Sequence, residues 1–162
     1  MKMLENIEKV LNVFKVFNHT EFPFIDLKSK TSVEKIMKDV KTLPGKAFII
    51  HPSDFILAVT KENIKLSSKI MARLDGRSSL GRLGLVVHST AARFDPGWQG
   101  KAVMELGNLG IIPIALYPGM RICAMTFEIL SSPSRFPYFK HKDHKYLQQK
   151  SPQASKINQE LK

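Results

Sequence analysis

Ionisable and hydroxyl side chains crowd into one stretch of this 162-residue chain, residues 71–108. Arg77, Ser78, Ser79, Arg82, Arg93, Asp95 and Glu105 stand there at short intervals between apolar runs that otherwise read as sheet. A segment that only fills a core has no use for so many charges, because each buried one must be paired or hydrogen-bonded. In DGRSSLGR, residues 75–82, small side chains let the backbone come close to a ligand. Ser78 and Ser79 supply hydroxyl donors, and Arg77 and Arg82 carry the multiple N–H groups that suit phosphate oxygens. The same residues also fit a tight turn with salt bridges to Asp75.

Glu105 is the more informative charge. It lies in AVMEL, residues 102–106, where strand alternation sets Ala102, Met104 and Leu106 on one face and Val103 and Glu105 on the other. That second face meets either solvent or a sheltered cavity. In a cavity the carboxylate is placed to serve in turn as proton acceptor and proton donor. Asp95, just before Pro96–Gly97, reads as a turn residue or a polar ligand contact, with Trp98 bracing the turn.

Several other chemistries find no support. Cys123 is the only cysteine, which rules out an internal disulfide and a multi-cysteine metal site and suits a reducing cytoplasm. Zinc-dependent deamination needs a His/Cys ligand set with a PCxxC element, and the histidines here are scattered. There is no GxxxxGK[ST] phosphate loop, no dinucleotide fingerprint and no GxSxG elbow. The formal net charge of +11 points to an anionic partner. Arg73, Arg77, Arg82, Arg93 and Arg121 fall within structured-looking sequence, which favours a specific anion pocket over a smeared basic surface. No basic stretch interleaved with aromatics supports nucleic-acid binding. No run approaches the roughly 18 apolar residues of a membrane span, and residues 1–16 mix Lys and Glu with apolar positions, unlike a secretory leader.

The elements that must position these residues are mostly strands. From Lys46 onward, AFII, FILAVT, KENIKL, IMARL, LGLVV, AVMEL, PIAL and RICAMTFEIL follow one another, separated by turn signals such as Pro44–Gly45 and Pro118–Gly119. Such a succession indicates a mainly β sandwich or barrel in one domain. Residues 1–17 fit an amphipathic helix in their early spacing, while VFKVF equally fits a strand. Residues 31–41 predict a short helix, capped by Thr31 or Ser32, with Val33, Ile36, Met37 and Val40 on one face. The polar, basic tail from Tyr138 reads as a solvated arm. Its Tyr138, Lys145, Tyr146 and Gln149 also suit folding over a ligand.

Residues 75–106, DGRSSLGRLGLVVHSTAARFDPGWQGKAVMEL, closely resemble the dCTP deaminases, the zinc-independent branch of the trimeric dUTPase superfamily. The similarity runs from about Phe22 to the C-terminus and takes in FIDL, HPSDFILAVT, PGMRICAMTFE and the PY…KY…Q tail. The resemblance implies a dUTPase-like distorted β-barrel or jelly roll with short peripheral helices. It implies a β domain over residues 1–137, with residues 138–162 as an arm that closes over the site. It also implies a cytoplasmic homotrimer with active sites between subunits, acting on dCTP or dUTP.

Carried over by position, Glu105 is the catalytic glutamate, Ser78 and Arg82 shape the water and pyrimidine environment, and Arg77 binds phosphate. Ala91 offers a backbone group to the attacking water. Arg93 and Asp95 contact the nucleotide, Asp95 at the deoxyribose, and Tyr138, Lys145 and Gln149 close over base and triphosphate. Mg²⁺ is expected with the nucleotide, held mainly by phosphate oxygens and water and not by protein ligands.

The implied reaction turns dCTP into dUTP and ammonia. Two related outcomes share the scaffold: a dUTP diphosphatase, or a bifunctional enzyme carrying dCTP through to dUMP. A dUTPase usually has an apolar residue at the position of Glu105 and a glycine-rich C-terminal motif, and this chain has neither. A third possibility is a nucleotide-binding homologue without catalysis. Family members usually begin with a further segment bearing I-x-P-x-S-x-D-x-x-LG, to which residues 1–17 are only weakly similar. Without it, a helix and a strand of the barrel would be missing. Gly81 replaces a residue that is more often alanine, and Lys150 stands where the arm commonly has glycine, which would oppose closure.

Overall fold

A computed structural model describes the backbone of residues 6–17, 24–28 and 33–160, with the side chains of residues 6–12 and of Asn158 excluded. The longest strand, β1 (Asn6–Phe17), joins two halves of one sheet. Its first residues pair antiparallel with β12 (Arg121–Ile129). A register shift follows at Glu8/Lys9, the local irregularity that lets a strand bend away from one set of partners toward another. Its second half pairs with β2 (Met37–Lys41) on one side and β4 (Phe55–Thr60) on the other.

The remaining strands of this sheet are β6 (Ile70–Gly76), β7 (Leu85–Val86), β8 (Arg93–Phe94) and β10 (Val103–Asn108). The order is β7-β10-β4-β1-β12-β6-β8, with β2 on β1. Among the described strands the end members β7 and β8 do not pair, so the sheet is open. Two small ladders complete the fold. They are β3 (Phe48–Ile50) with β11 (Ile114–Leu116), and β5 (Ile64–Lys65) with β9 (Gln99–Gly100).

Burial alternates along Val103–Leu106 of β10, while Ile56–Thr60 of β4 is buried on both faces. Ile56 and Ala58 of β4 and Met104 and Leu106 of β10 turn into a core with Phe14, Leu74, Ile122 and Met125. Phe14 stacks on Phe48 at 4.3 Å between ring centroids, which fastens β1 to the small β3 ladder. The proline–glycine turns are present, with Gly45 and Gly119 at φ 73° and 85°, a region glycine enters without strain.

Two expectations are corrected. The helical reading of the early residues gives way to strand over residues 6–17, while the strand reading of VFKVF holds. The predicted helix over residues 31–41 is only a 3₁₀ turn, Val33–Ile36, which passes directly into β2. The pairing of residues 37–41 with residues 13–17 of β1 overrides the local helical spacing. Its supposed caps, Thr31 and Ser32, lie outside the described residues, as does Phe22. At this junction Lys15, 4% exposed, bonds Glu34 at 2.6 Å and Asp39 at 2.9 Å. Burial pulls the ammonium pKa down, but the hydrogen bonds and charges of Glu34 and Asp39 outweigh it and leave the Lys15 pKa raised.

Candidate active site

The antiparallel register of β10 on β4 sets Glu105 opposite Leu57 and Gly107 opposite Phe55. Residues directly opposite share a face, so Glu105, Val103, Leu57 and Phe55 form one surface while Met104 and Ala58 form the other. The Glu105 side is half-buried. It floors a cavity of about 300 Å³ whose walls include Ala91, Arg93, Asp95, Trp98 and Tyr138. The backbone around the carboxylate is fixed on both sides. The Glu105 N–H donates to the Val87 carbonyl at 3.1 Å, and the Ser89 N–H donates to Glu105 Oε2 at 2.8 Å. One carboxylate oxygen is thus committed to the protein and its direction is set.

The opposite wall begins at β8. Phe94 packs edge-on to Trp98 at 4.7 Å between centroids, and Arg93 Nε meets Asp95 Oδ1 at 3.0 Å. A wider surface hollow of about 580 Å³ lies beyond the same pair, with Arg135 and Ser131, Ser132 and Ser134 along it. The smaller cavity is the better candidate, because it alone combines a fixed carboxylate with sheltered amide oxygens.

The roof comes from the chain after Pro137. The Tyr138 N–H donates to the Pro96 carbonyl at 2.7 Å. Farther on, the Gln148 N–H donates to Gln99 at 2.8 Å, and the Lys101 N–H donates to Gln149 at 2.9 Å, which adds the arm to the edge of β9. Two glycines make this approach possible. A Cβ on Gly97 would stand 2.6 Å from Pro137 Cβ, and one on Gly100 would stand 3.0 Å from Gln149 N. Ala154, 2% exposed, packs with Ile36, Met37 and Leu57, and its N–H reaches Glu34 Oε2 at 3.3 Å. The tail is therefore docked on the sheet through Gln149, Pro152 and Ala154, while residues 139–144 stay exposed. Lys150 is exposed, and its presence does not prevent the docking.

The cavity brings together Glu105, Ala91, Arg93, Asp95, Tyr138 and Gln149 from the residues expected of a site. It does not bring Arg77, Ser78, Arg82 or Lys145 among its lining. Ser78 opens α1 (Ser78–Gly81), a single exposed turn after β6, with Arg77 and Arg82 on either side of it. The Arg77 Nη1 donates to the Arg121 carbonyl at 2.7 Å. Lys145 pairs with Glu160.

Sequence reasoning missed Gln153. It lines the cavity, and its Oε1 and that of Gln149 are buried with no hydrogen-bond partner among the described residues. Nothing in its local sequence marks it, since it sits in a polar tail rich in glutamine. Among the described residues, no group of three or more His, Cys, Asp or Glu side chains forms a metal site. No helix among them is long and apolar enough to cross a membrane.

A dCTP deaminase-like family model matches residues 7–130. A dCTP deaminase of Thermomicrobium roseum is 49% identical over 150 residues, 93% of this chain and 76% of that protein. A dUMP-forming dCTP deaminase of Methanosphaera stadtmanae is 46% identical over 91% of this chain and 76% of its own length. Among solved structures, the 2′-deoxycytidine 5′-triphosphate deaminase of Agrobacterium tumefaciens shares the fold, with a TM-score of 0.57 at 17% identity. That match covers 75% of this chain and 37% of the longer one. With a family model over most of its length and relatives this similar, the chain belongs to the dCTP deaminase family, on a dUTPase-like jelly-roll fold.

Proposed function

We propose that this chain catalyses the hydrolytic deamination of dCTP to dUTP and ammonia. The observation that carries the proposal is Glu105, which faces an arm-covered cavity from the middle of a sheet with one oxygen held by the Ser89 N–H. The other oxygen remains to take a proton from water, and the resulting hydroxide adds to C4 of cytosine. Protonated Glu105 then delivers that proton to ring N3. From the tetrahedral adduct Glu105 takes the proton of the new hydroxyl and passes it to the amino group, which leaves as ammonia. Water is consumed, the C4–N4 bond breaks, and Glu105 ends as it began. Ser78, Arg82 and the Ala91 backbone orient the water and the ring, while Asp95 meets the deoxyribose. Arg77, Arg93, Tyr138, Lys145 and Gln149 hold the rest of the nucleotide. Magnesium arrives as part of the substrate, on the triphosphate.

Arg77, Ser78 and Arg82 lie outside the Glu105 cavity of their own chain, so in this proposal they complete the cavity of a neighbouring subunit in a homotrimer. Next to their turn lies an exposed apolar patch, Leu83, Leu109, Ile111 and Ile112, joined by the Leu109 N–H donating to Gly84 at 2.8 Å. A contiguous apolar patch beside a functional cluster suits a subunit interface. The proposed setting is the cytoplasm.

A second reading is favoured by the similarity to a dUMP-forming relative: the same cavity would carry dCTP through to dUMP and pyrophosphate. Incubation of the purified protein with dCTP and Mg²⁺, resolved by anion exchange, tests both. Accumulating dUTP with equal ammonia supports the deaminase, and dUMP with pyrophosphate supports the bifunctional enzyme. Consumption of dUTP alone would overturn both.

A further inference from the structure

The cavity holds a polar group that the proposed reaction does not use. Gln153 Oε1 is buried, lines the cavity with Glu105, and has no hydrogen-bond partner among the described residues. A buried amide oxygen without a donor costs stability, so its retention needs a donor that arrives from elsewhere. Its backbone is not free to swing away. Upstream, Gln148 and Gln149 are bonded to β9. Downstream, the Ala154 N–H bonds Glu34, and the Lys156 N–H donates to the Tyr146 hydroxyl at 3.0 Å. Gln153 is therefore presented to the cavity between two anchored points.

This inference rests on the proposed reading of the site as a dCTP site. A deoxycytidine triphosphate offers few donors to such an oxygen. Its phosphates, ring N3 and O2 accept, and only the 4-amino group and the 3′-hydroxyl donate. Asp95 is assigned to the sugar. We infer that Gln153 is a specificity residue whose Oε1 accepts a hydrogen bond from the cytosine 4-amino group. In the product that group has become a carbonyl oxygen, which would face Oε1 as acceptor against acceptor. Gln153 thus favours dCTP over dUTP and eases release of the product. Rejection by an unpaired or mismatched buried polar group is stronger than selection by shape alone.

The test is Gln153→Met, which keeps the side-chain length and removes the amide. Binding of dCTP and dUTP is measured by calorimetry on Glu105→Gln protein with and without Q153M, and steady-state KM and dUTP inhibition on the single variant. Loss of one hydrogen bond is expected to weaken dCTP roughly three- to tenfold, while dUTP, relieved of a mismatched acceptor, binds as well as before or better. Thermal unfolding without nucleotide should not fall, since Q153M removes an unsatisfied acceptor. Equal weakening of both nucleotides, or of neither, overturns the assignment. So does a lowered midpoint with unchanged KM, which marks a structural role. Wild-type turnover of dCTP, followed in parallel, separates the two claims. Failure to deaminate sinks the proposed activity, while turnover with an unmoved dCTP/dUTP preference in Q153M sinks only this inference.

Discussion

Gly100→Ala should release the C-terminal arm while leaving the sheet intact. Gly100 sits at φ 144°, a conformation that alanine adopts only under strain of about 1–3 kcal/mol. The added methyl would stand 3.0 Å from Gln149 N and 3.2 Å from Gln149 O, both backbone atoms that cannot rotate aside. Relief requires the arm to move, which breaks the Lys101-to-Gln149 and Gln148-to-Gln99 hydrogen bonds. Each contributes about 1 kcal/mol net. The strain falls on the docked state, which is therefore disfavoured by about 1–3 kcal/mol, or roughly 5- to 160-fold in its closing equilibrium. Hydrogen exchange reads this directly, because the amides of Lys101 and Gln148 should lose protection while those of β4 and β10 keep theirs. KM for dCTP should rise with the loss of Tyr138 and Gln149 from the cavity wall. Unchanged protection at Lys101 and Gln148 would refute the reasoning.

Glu105→Gln should fold and bind nucleotide but deaminate at under about 1% of the wild-type rate, the scale of a lost general acid–base group; near-full turnover in a product assay would remove Glu105 from the chemistry. Arg82→Ala should weaken nucleotide binding and turnover together, and its refolded mixture with Glu105→Gln protein should regain part of the activity if sites form between subunits. A titration curve indistinguishable from wild type would remove Arg82 from the site. Lys15 supplies a pH prediction. Because its folded pKa is raised, its contribution to stability is complete below the ordinary 10.5 and fades as pH climbs through the folded value. The gap in unfolding midpoint between wild type and Lys15→Met should therefore be constant near neutrality and shrink above pH 10.5; a gap that widens there would contradict the assignment.

The strand that carries Glu105 was legible because alternation is a local property. AVMEL placed Glu105 and Val103 together before any partner was known, and the burial of Ala102, Met104 and Leu106 follows that division. FILAVT likewise coincides with β4, Phe55–Thr60. What could not be read locally is whatever a distant segment decides. Residues 37–41 have helical spacing but become strand because β1 is there to pair with them. The arm looked solvated because its composition is polar, yet its docking relies on backbone hydrogen bonds and on the missing side chains of Gly97 and Gly100, which composition does not reveal. At the site, motif resemblance groups Arg77, Ser78 and Arg82 as one cluster, while the geometry of one chain leaves them outside the cavity of Glu105. Gln153 shows the reverse case. Nothing in its sequence context marked it, and only the burial of an unpartnered oxygen does so.

Turnover of dCTP in ¹⁸O-labelled water, with mass spectrometry of the separated base and phosphate fragments, tests the proposed chemistry most directly. Attack of water on C4 predicts dUTP with the label in the uracil ring, at a rate that collapses in Glu105→Gln. Label found only in the phosphates, or ring labelling that persists undiminished without the Glu105 carboxylate, would contradict it.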